Sequence, residues 1–418
     1  MRGVEHDLTE LKLGPKRAFL LNHPDLVRRV LVDRVDAYDK RTANNRVFRL
    51  VFGESLVTSD GDYWKRQRRI AAPAFHHQRI VGFVETMRGS VERTLERWDA
   101  LPDGAEIDFD AEMVRLTLDV VCRCLIGHES TEELAEVLRR ELPSMFEYGA
   151  YKMPRPWYPG LWAPTPKNRI FSLGRQAVRA AVTRIIAERH GKDGGEHTDL
   201  LAMLMSSVDE ETGERMDDTQ LRDEVITIVL AGYETTTNML DWTFASLART
   251  PDVRARLEAE LASVLGRRPT RFEDLSSLVY TEAVLKESLR ILPPAWLMVR
   301  RAAEPDELFG RRVPQGSLML MSPYVSHRRT AHFPDPEAFR PERFLEGAEA
   351  LPRLAWFPFG GGRRTCIGST FAMMEGKIAL AEIARRYRLA PASGTTPTPH
   401  ANVMLKPRGG MRMMVTRR

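Results

Sequence analysis

The sequence predicts a mainly α-helical protein with a small β region, folded as a single domain spanning residues 1–418. Three observations carry that expectation. Apolar residues recur every three to four positions along most of the chain. Strand-like runs are few and short, and no internal repeat is visible. No stretch between the helical segments is long enough to read as an interdomain linker.

Taken in chain order, the elements justify themselves as follows. Arg17 to Asn22 is the first strand-like run. Glu112 to Ile126 puts Val114, Leu118, Val121 and Leu125 on one helical face. Thr131 to Tyr148 and Asn168 to Arg189 repeat that spacing. Leu221 to Arg249 is long, apolar on most sides and stopped by Pro251; a helix so apolar belongs in the middle of the molecule. Pro251 to Leu265 is charged and amphipathic, a surface helix. Thr281 to Leu292 ends at Pro293-Pro294, and Ser369 to Tyr387 is the last long helix. Leu297 to Ala302, Ser317 to Met321 and the tail from Val403 to Val415 are strand-like. Gly191 to Thr198, Asp209 to Asp218 and Ser393 to Pro399 read as loops.

Composition narrows the function classes. Hydrophobic residues make up 43% and charged residues 28%, a globular balance that excludes a disordered or collagenous chain. A net charge of +5 is too small to imply nucleic acid, but it permits a local basic face that meets an acidic protein. Three cysteines exclude a disulfide scaffold and point to a reducing compartment. The start of the chain is charged throughout, with no signal-peptide core, and no later stretch is long and apolar enough to span a bilayer. The expected location is cytoplasmic.

The sharpest chemical signal is Phe359-Gly-Gly-Gly-Arg-Arg-Thr-Cys366-Ile-Gly368, a glycine-rich loop that delivers a cysteine just before a helix. Glycines let the backbone turn and approach a flat ligand closely. N–H groups at a helix start favour a thiolate, and Phe359 can shield one side from water. A soft thiolate in a dry turn suits haem iron. The bland reading is an inert buried cysteine. Two further spacings matter. Glu287 and Arg290 stand one turn apart on the same helix face, although such pairs are mostly exposed and worth little. Trp64 and Arg68 share a face, so an indole N–H and a guanidinium can meet one carboxylate.

Ala231-Gly232-Tyr-Glu234-Thr235-Thr236 lies inside the long apolar helix. Gly232 removes a side chain and makes room for a diatomic ligand. Thr235 can hydrogen-bond the carbonyl of Ala231 and open a notch for water. Glu234 can turn between solvent and that notch. The alternative is a polar stripe bonded back to its own backbone.

The chain resembles the cytochrome P-450 family of haem-thiolate monooxygenases. Its loop matches F-x-x-G-x-R-x-C-x-G at Phe359, Gly362, Arg364, Cys366 and Gly368, and Pro341-Glu-Arg343-Phe344 matches P-E-R-F. The A-G-x-[DE]-T-T and W-x-x-x-R patterns are also present. The resemblance implies haem b (iron protoporphyrin IX) between the long helix and the helix after the cysteine loop. It makes Cys366 the axial thiolate, and Trp64, Arg68, Arg300 and Arg364 propionate partners. Arg300 is preferred to Arg301 on its spacing to Glu307 and Gly310. A buried structural cluster of Glu287, Arg290 and Arg343 is implied behind the loop, and Glu234 and Thr235 become proton donors for dioxygen activation.

The implied reaction inserts one oxygen atom of O2 into a C–H or C=C bond. No flavin or iron–sulfur pattern is fused, so electrons come from a separate acidic ferredoxin or flavodoxin with its reductase, and the basic run Lys65, Arg66, Arg69 is a candidate dock. A monomer without nucleic acid or transmembrane anchor is expected. Ala295, Trp296, Leu297, Met298 and Val403 are the candidate pocket residues, and their apolar character points to a lipid, terpenoid, steroid or polyketide. Met153 to Pro166, with Trp157, Tyr158 and Trp162 among five prolines, reads as a lid over a substrate channel or as a packed connection. Cys122 and Cys124 read as buried residues, and His327 and His332 have no assigned role. The family's proline-rich lead-in, first helix and full first strand are expected to be absent or abbreviated. Three rivals remain. A peroxide-driven oxygenase does not need the Glu234–Thr235 pair, and a haem-based gas sensor gains nothing from it. A cysteine hydrolase lacks an oriented His–Asp pair.

Overall fold

The computed structural model describes residues 6–127, 131–191, 199–347, 350–392 and 396–418. The expected loop at Gly191 to Thr198 falls almost wholly outside them, as do residues 393–395 of the one expected at Ser393 to Pro399. The backbone groups into two compact units. Unit 1 comprises Met1–Asp39, Met87–Val114 and Thr235–Arg418; unit 2 comprises Lys40–Thr86 and Arg115–Glu234.

Unit 1 holds the sheets. A five-stranded sheet runs in the order Leu8–Leu13, Lys16–Leu21, Leu318–Met321, Met298–Ala302, Tyr38–Asp39. The first two strands form an antiparallel hairpin with Leu8 opposite Leu21, and Lys16–Leu21 lies parallel to Leu318–Met321. Phe19, Leu21, Met319 and Met321 bury the inner face against Leu26, Val27 and Phe357. A second antiparallel sheet joins Ala105–Asp108, Arg412–Arg417 and Tyr387–Pro391. Trp98 packs on it, edge-on to Tyr387, with its indole N–H donated to Glu112 at 3.1 Å.

Among the helices of this unit, two lie beside the C-terminal half of the central helix, Asp218–Arg249. They are the E-x-x-R helix, Val279–Ile291, and the cysteine helix, Ser369–Arg386. The cysteine helix is buried along most of its length, with Phe371, Met374, Ile378 and Leu380 among its core residues.

Unit 2 is helical. Thr131–Lys152 packs against Pro166–Gly191, where Tyr148 stacks on Phe171 at 4.2 Å between ring centroids. Ala43–Phe52, Gly61–Ala71 and Leu200–Ser206 belong to the same unit, as does the N-terminal half of the central helix. Among the described residues, no helix is long and apolar enough to cross a membrane.

Three of the differences from the expected element boundaries have a clear local cause. The first strand is complete: Leu8–Leu13 has six residues. It is an edge strand whose residues are mostly exposed, so it lacks an apolar run. The last helix ends at Arg386, and Tyr387 opens a strand instead. The tail is two strands, Leu405–Pro407 and Arg412–Arg417, separated by Gly409 and Gly410, both at positive φ.

Candidate active site

In unit 1 the cysteine loop is tied down by its own backbone. The N–H of Cys366 donates to the carbonyl of Phe359 at 2.9 Å, and that of Gly360 donates to Phe357 at 3.0 Å. The Thr365 hydroxyl donates to the carbonyl of Gly362 at 2.8 Å. Gly362 has φ +66, and a Cβ there would lie 2.1 Å from the carbonyl oxygen of Leu31. Only glycine fits, because the obstacle is backbone and cannot swing away. The strand Met298–Ala302 runs beside this loop: the Met298 sulfur lies 3.7 Å from where a Cβ on Gly360 would stand. The loop thus presents Cys366 exposed, whereas Cys122 and Cys124 are buried as expected.

That arrangement suits haem on chemical grounds. Among the described residues, no group of three or more His, Cys, Asp or Glu side chains could hold a bare metal ion. A lone accessible thiolate binds iron when a macrocycle supplies the remaining ligands. On the central helix, the face formed by Ile228, Ala231, Gly232 and Thr235 stays partly accessible while the flanking positions are buried.

The sheet register separates the two neighbouring arginines. Arg301 pairs with Asp39 through its Nε at 3.0 Å. Adjacent residues on a strand point to opposite faces, so Arg300 is the one left on the other side. Phe359 and Arg364 are partly exposed in the cysteine loop, as a ligand contact requires.

Behind the loop, the expected cluster is present and buried. Glu287 and Arg290 are both 0% exposed and form a bidentate pair at 2.7 and 2.8 Å. Arg343 Nε reaches Glu287 at 3.4 Å, and the backbone N–H of Arg340 donates to the same carboxylate at 2.8 Å. Arg290 also donates to the carbonyls of His327, Pro336 and Ala338. The pocket candidates also converge. Trp296 donates its indole N–H to the carbonyl of Asn402 at 2.9 Å, next to Val403, and Leu405 donates to Pro294 at 3.0 Å. Ala295, Trp296, Leu297, Met298 and Val403 are all partly exposed.

Unit 2 carries the remaining candidates. Trp64 is buried and Arg68 partly buried, one turn apart on Gly61–Ala71. The central helix runs unbroken through Ala231 to Thr236. A Cβ on Gly232 would sit 3.2 Å from Val121 Cγ2, so this glycine is also needed for the close approach of Phe109–Ile126. One expectation changes here. Glu234 is buried, so it is not turned to solvent.

The basic run is also altered. Lys65 pairs with Asp62 at 2.9 Å and Arg66 pairs with Glu214. Arg69 grips Asp209 at 2.7 and 2.9 Å. The acidic turn at 209–217 therefore folds back on Gly61–Ala71 and neutralises the face expected to dock an acidic donor. In the same unit Asn168 ties the 153–165 segment down through Gly160 and Ala163 and leaves Trp157 and Trp162 facing outward, which fits the packed-connection alternative.

Sequence reasoning missed two residues near the loop. His327 is buried and bridges Arg290 and Phe357; a histidine without metal-ligand spacing gives no signal for such a role. Glu375, on the cysteine helix, is buried and hydrogen-bonded to Thr236, and burial pushes its carboxyl well above the usual range. The only sequence cue is a carboxylate amid the apolar face of that helix.

A family model described as cytochrome P-450 matches residues 5–413. The chain is 39% identical to "Cyclooctatin synthase" of Streptomyces melanosporofaciens over 98% of this chain and 88% of that protein. It is 39% identical to "Cyclooctat-9-en-7-ol 5-monooxygenase" of the same organism, over 93% of this chain and 84% of that one. It is 34% identical to "Pentalenene oxygenase" of Streptomyces avermitilis, over 95% and 88%.

Proposed function

From the premise that the chain belongs to the cytochrome P-450 family, and is therefore a haem b monooxygenase, we propose that it oxygenates a cyclic terpenoid. The observation that carries the substrate class is the agreement of two facts. The similar proteins are named for such compounds, and the candidate pocket set around Trp296 and Val403 is apolar. The rivals are not favoured: a sensor or peroxide user has no need of Glu234 beside Thr235.

The roles follow from what each side chain can do. Bound haem supplies the oxidising chemistry, and a thiolate ligand favours O–O cleavage. Cys366 offers the thiolate from its fixed loop. Arg300 and Arg364 in unit 1, and Trp64 and Arg68 in unit 2, offer cations and an N–H to propionates. Thr235 places a hydroxyl on the accessible face of the central helix, and Glu234 places a carboxyl group one residue away. Ala231 lines that same face. Phe359 and Gly368 flank the thiolate, and burying them excludes water. Glu287, Arg290 and Arg343 hold the loop from behind and take no part in chemistry.

A separate ferredoxin or flavodoxin with a reductase supplies electrons, and the neutralised Lys65–Arg69 run makes that face a poor choice of dock. The single family match over residues 5–413 supports one catalytic domain over 1–418. We take it to act as a cytoplasmic monomer. The test is reconstitution with a ferredoxin, its reductase and a panel of cyclic terpene hydrocarbons and alcohols. Conversion of at least one terpene and no turnover of fatty acids, steroids or polyketides is the expected result. The reverse pattern overturns the substrate class. Separately, the reduced carbonyl complex should show the red-shifted Soret band of a thiolate, abolished in Cys366→His; a histidine-like band in the wild type overturns the ligand assignment.

A further inference from the structure

The hairpin that carries Val403 cannot hold its own place. It pairs Pro399–Ala401 with Leu405–Pro407, and among the described residues no third strand joins it. Its rung Pro399–Pro407 has no N–H on either side. So short a two-stranded ribbon is marginal in water by itself. Residues 399–402 are exposed, and within the hairpin only Leu405 and Pro407 are buried. The place of Val403, half-buried in the turn, is therefore set by what lies beyond the hairpin.

Leu405 is where the rest of unit 1 takes hold. Both of its backbone groups are engaged away from the hairpin. Its N–H donates to the carbonyl of Pro294 at 3.0 Å, and its carbonyl accepts the indole N–H of Trp242 at 3.0 Å. Trp242 is 2% exposed and lies on the central helix. It stands seven residues after Thr235, which is two turns along the same helix face and roughly 10 Å along the axis. The residue before it, Asp241, is fully buried and faces Asp110 and the opposite charge of Lys406, the residue after Leu405. Two successive helix residues thus meet two successive hairpin residues. On the other side, Pro294 leads into Ala295, and the Trp296 indole N–H donates to the carbonyl of Asn402 at 2.9 Å. Leu405 therefore joins three segments: the helix of Thr235, the run after Pro294 and the turn of Val403.

We infer that Trp242 is a positioning residue for the substrate: from beneath the hairpin it fixes the turn of Val403 relative to the Thr235 face of the central helix. An apolar substrate then meets a wall at a set place instead of a ribbon that drifts. The element that matters is the N–H. Phenylalanine would fill most of the same space, but it would leave the Leu405 carbonyl without its partner from the helix. The inference rests on the reading that Val403 lines the pocket, and it does not depend on which class of compound is oxidised.

The test compares Trp242→Phe with Trp98→Phe in the haem-loaded full chain. Trp98 is equally buried and bonds Glu112 at 3.1 Å, so its variant loses the same kind of bond at a site that holds no part of the hairpin. Two probes are titrated by their shift of the Soret band: 4-phenylimidazole, whose phenyl ring needs a wall, and imidazole, which does not. Trp242→Phe should weaken 4-phenylimidazole roughly three- to tenfold, the size of one hydrogen bond, and leave imidazole unchanged. Hydrogen exchange over residues 400–408 should quicken by a similar factor in that variant, with wild-type rates elsewhere. Trp98→Phe should do neither. Val403→Phe should change the affinity for 4-phenylimidazole and not for imidazole. If it changes neither, Val403 is outside the pocket and the inference falls with that reading. If Val403→Phe acts while Trp242→Phe leaves probe and exchange unchanged, the pocket reading stands and the positioning role is overturned. Equal effects from Trp98→Phe would also overturn it, as a general loss of stability. Should Trp242→Phe not take up haem, the wild type still decides: slow exchange over 400–408 supports the pin, and exchange as fast as a free ribbon overturns it.

Discussion

The imidazole of His327 accepts the backbone N–H of Phe357 at 2.9 Å, two residues before the loop that carries Cys366 begins. Its other nitrogen faces the carbonyl of Arg290 at 3.3 Å, so the ring joins the Glu287–Arg290 cluster to the cysteine loop. One nitrogen donates and the other accepts, which requires the neutral ring.

Burial, with Arg290 and Arg328 nearby, holds His327 down at about 3. The sign follows from linkage. The unfolded ring takes a proton near pH 6.5 and the folded one resists it, so this stabilisation is complete above pH 6.5. It is lost as pH falls from there towards 3, by roughly 1.4 kcal/mol per unit. His327→Gln should flatten that slope and lower haem content, since the amide cannot span both partners. Denaturant titrations between pH 7 and 4 check this, and identical slopes in the two proteins would remove His327 from the account.

The buried cluster predicts a graded response. Glu287→Ala strands Arg290, which has no exposure at all, and should cost about 3–5 kcal/mol. Little folded, haem-loaded protein is expected. Arg343 reaches Glu287 at the longer distance of 3.4 Å, donates also to the carbonyl of Asp335 at 2.9 Å, and is partly accessible, so Arg343→Ala should leave a reduced but measurable haem-loaded yield. Equal yields from the two variants, or normal haem content in Glu287→Ala, would contradict the order.

Glu224 supplies a second pH signature, on the alkaline side. It lies on the central helix in unit 2 and accepts the N–H of Leu56 at 2.9 Å. Burial pushes its carboxyl up to about 8. A raised carboxyl stabilises the fold fully below its unfolded value near 4.5. That contribution fades as pH rises through 8, on the order of 1 kcal/mol per unit. Glu224→Gln keeps the acceptor oxygen but cannot ionise. Between pH 5 and 8.5 the wild type should lose more stability than the variant. Parallel curves would mean that Glu224 ionises freely in the folded protein.

What was legible in the sequence has a physical pattern. The cysteine loop could be read because glycine at Gly362 is forced by the carbonyl of Leu31, and Glu287 and Arg290 because buried charges must be answered. Long helices showed in their apolar spacing. Features set by distant partners did not show. Leu8–Leu13 is held by its neighbour strand rather than by its own apolarity. The acids at Asp209 and Glu214 looked like solvated loop charges, and only the fold reveals that they neutralise Arg69 and Arg66. His327 and Glu375 are buried polar groups whose partners lie tens of residues away.

The last prediction concerns Glu234 and Thr235. Successive residues on a helix point about 100° apart. Thr235 therefore keeps its hydroxyl on the partly accessible face while the Glu234 carboxyl is buried beside it. Proton delivery during dioxygen reduction needs both a positioned hydroxyl and a group that refills it. General acid assistance of this kind is worth roughly 10²–10⁴-fold. Thr235→Ala should go on consuming the reduced nicotinamide of the reductase, with much of the flux released as hydrogen peroxide. Glu234→Gln should slow turnover instead, because an amide cannot relay a proton. Since Glu234 is buried, its carboxyl must reorient to exchange with water, and the wild-type rate should carry a solvent isotope effect that Glu234→Gln changes. Glu375→Gln is the control. Glu375 touches Thr236, the next residue, and an amide can keep that hydrogen bond. If Glu375 only positions the helix, this variant retains wild-type coupling. Product, peroxide and nicotinamide oxidised are measured together for all three variants. Wild-type rate and coupling in both Thr235→Ala and Glu234→Gln would show that the protons arrive by another route.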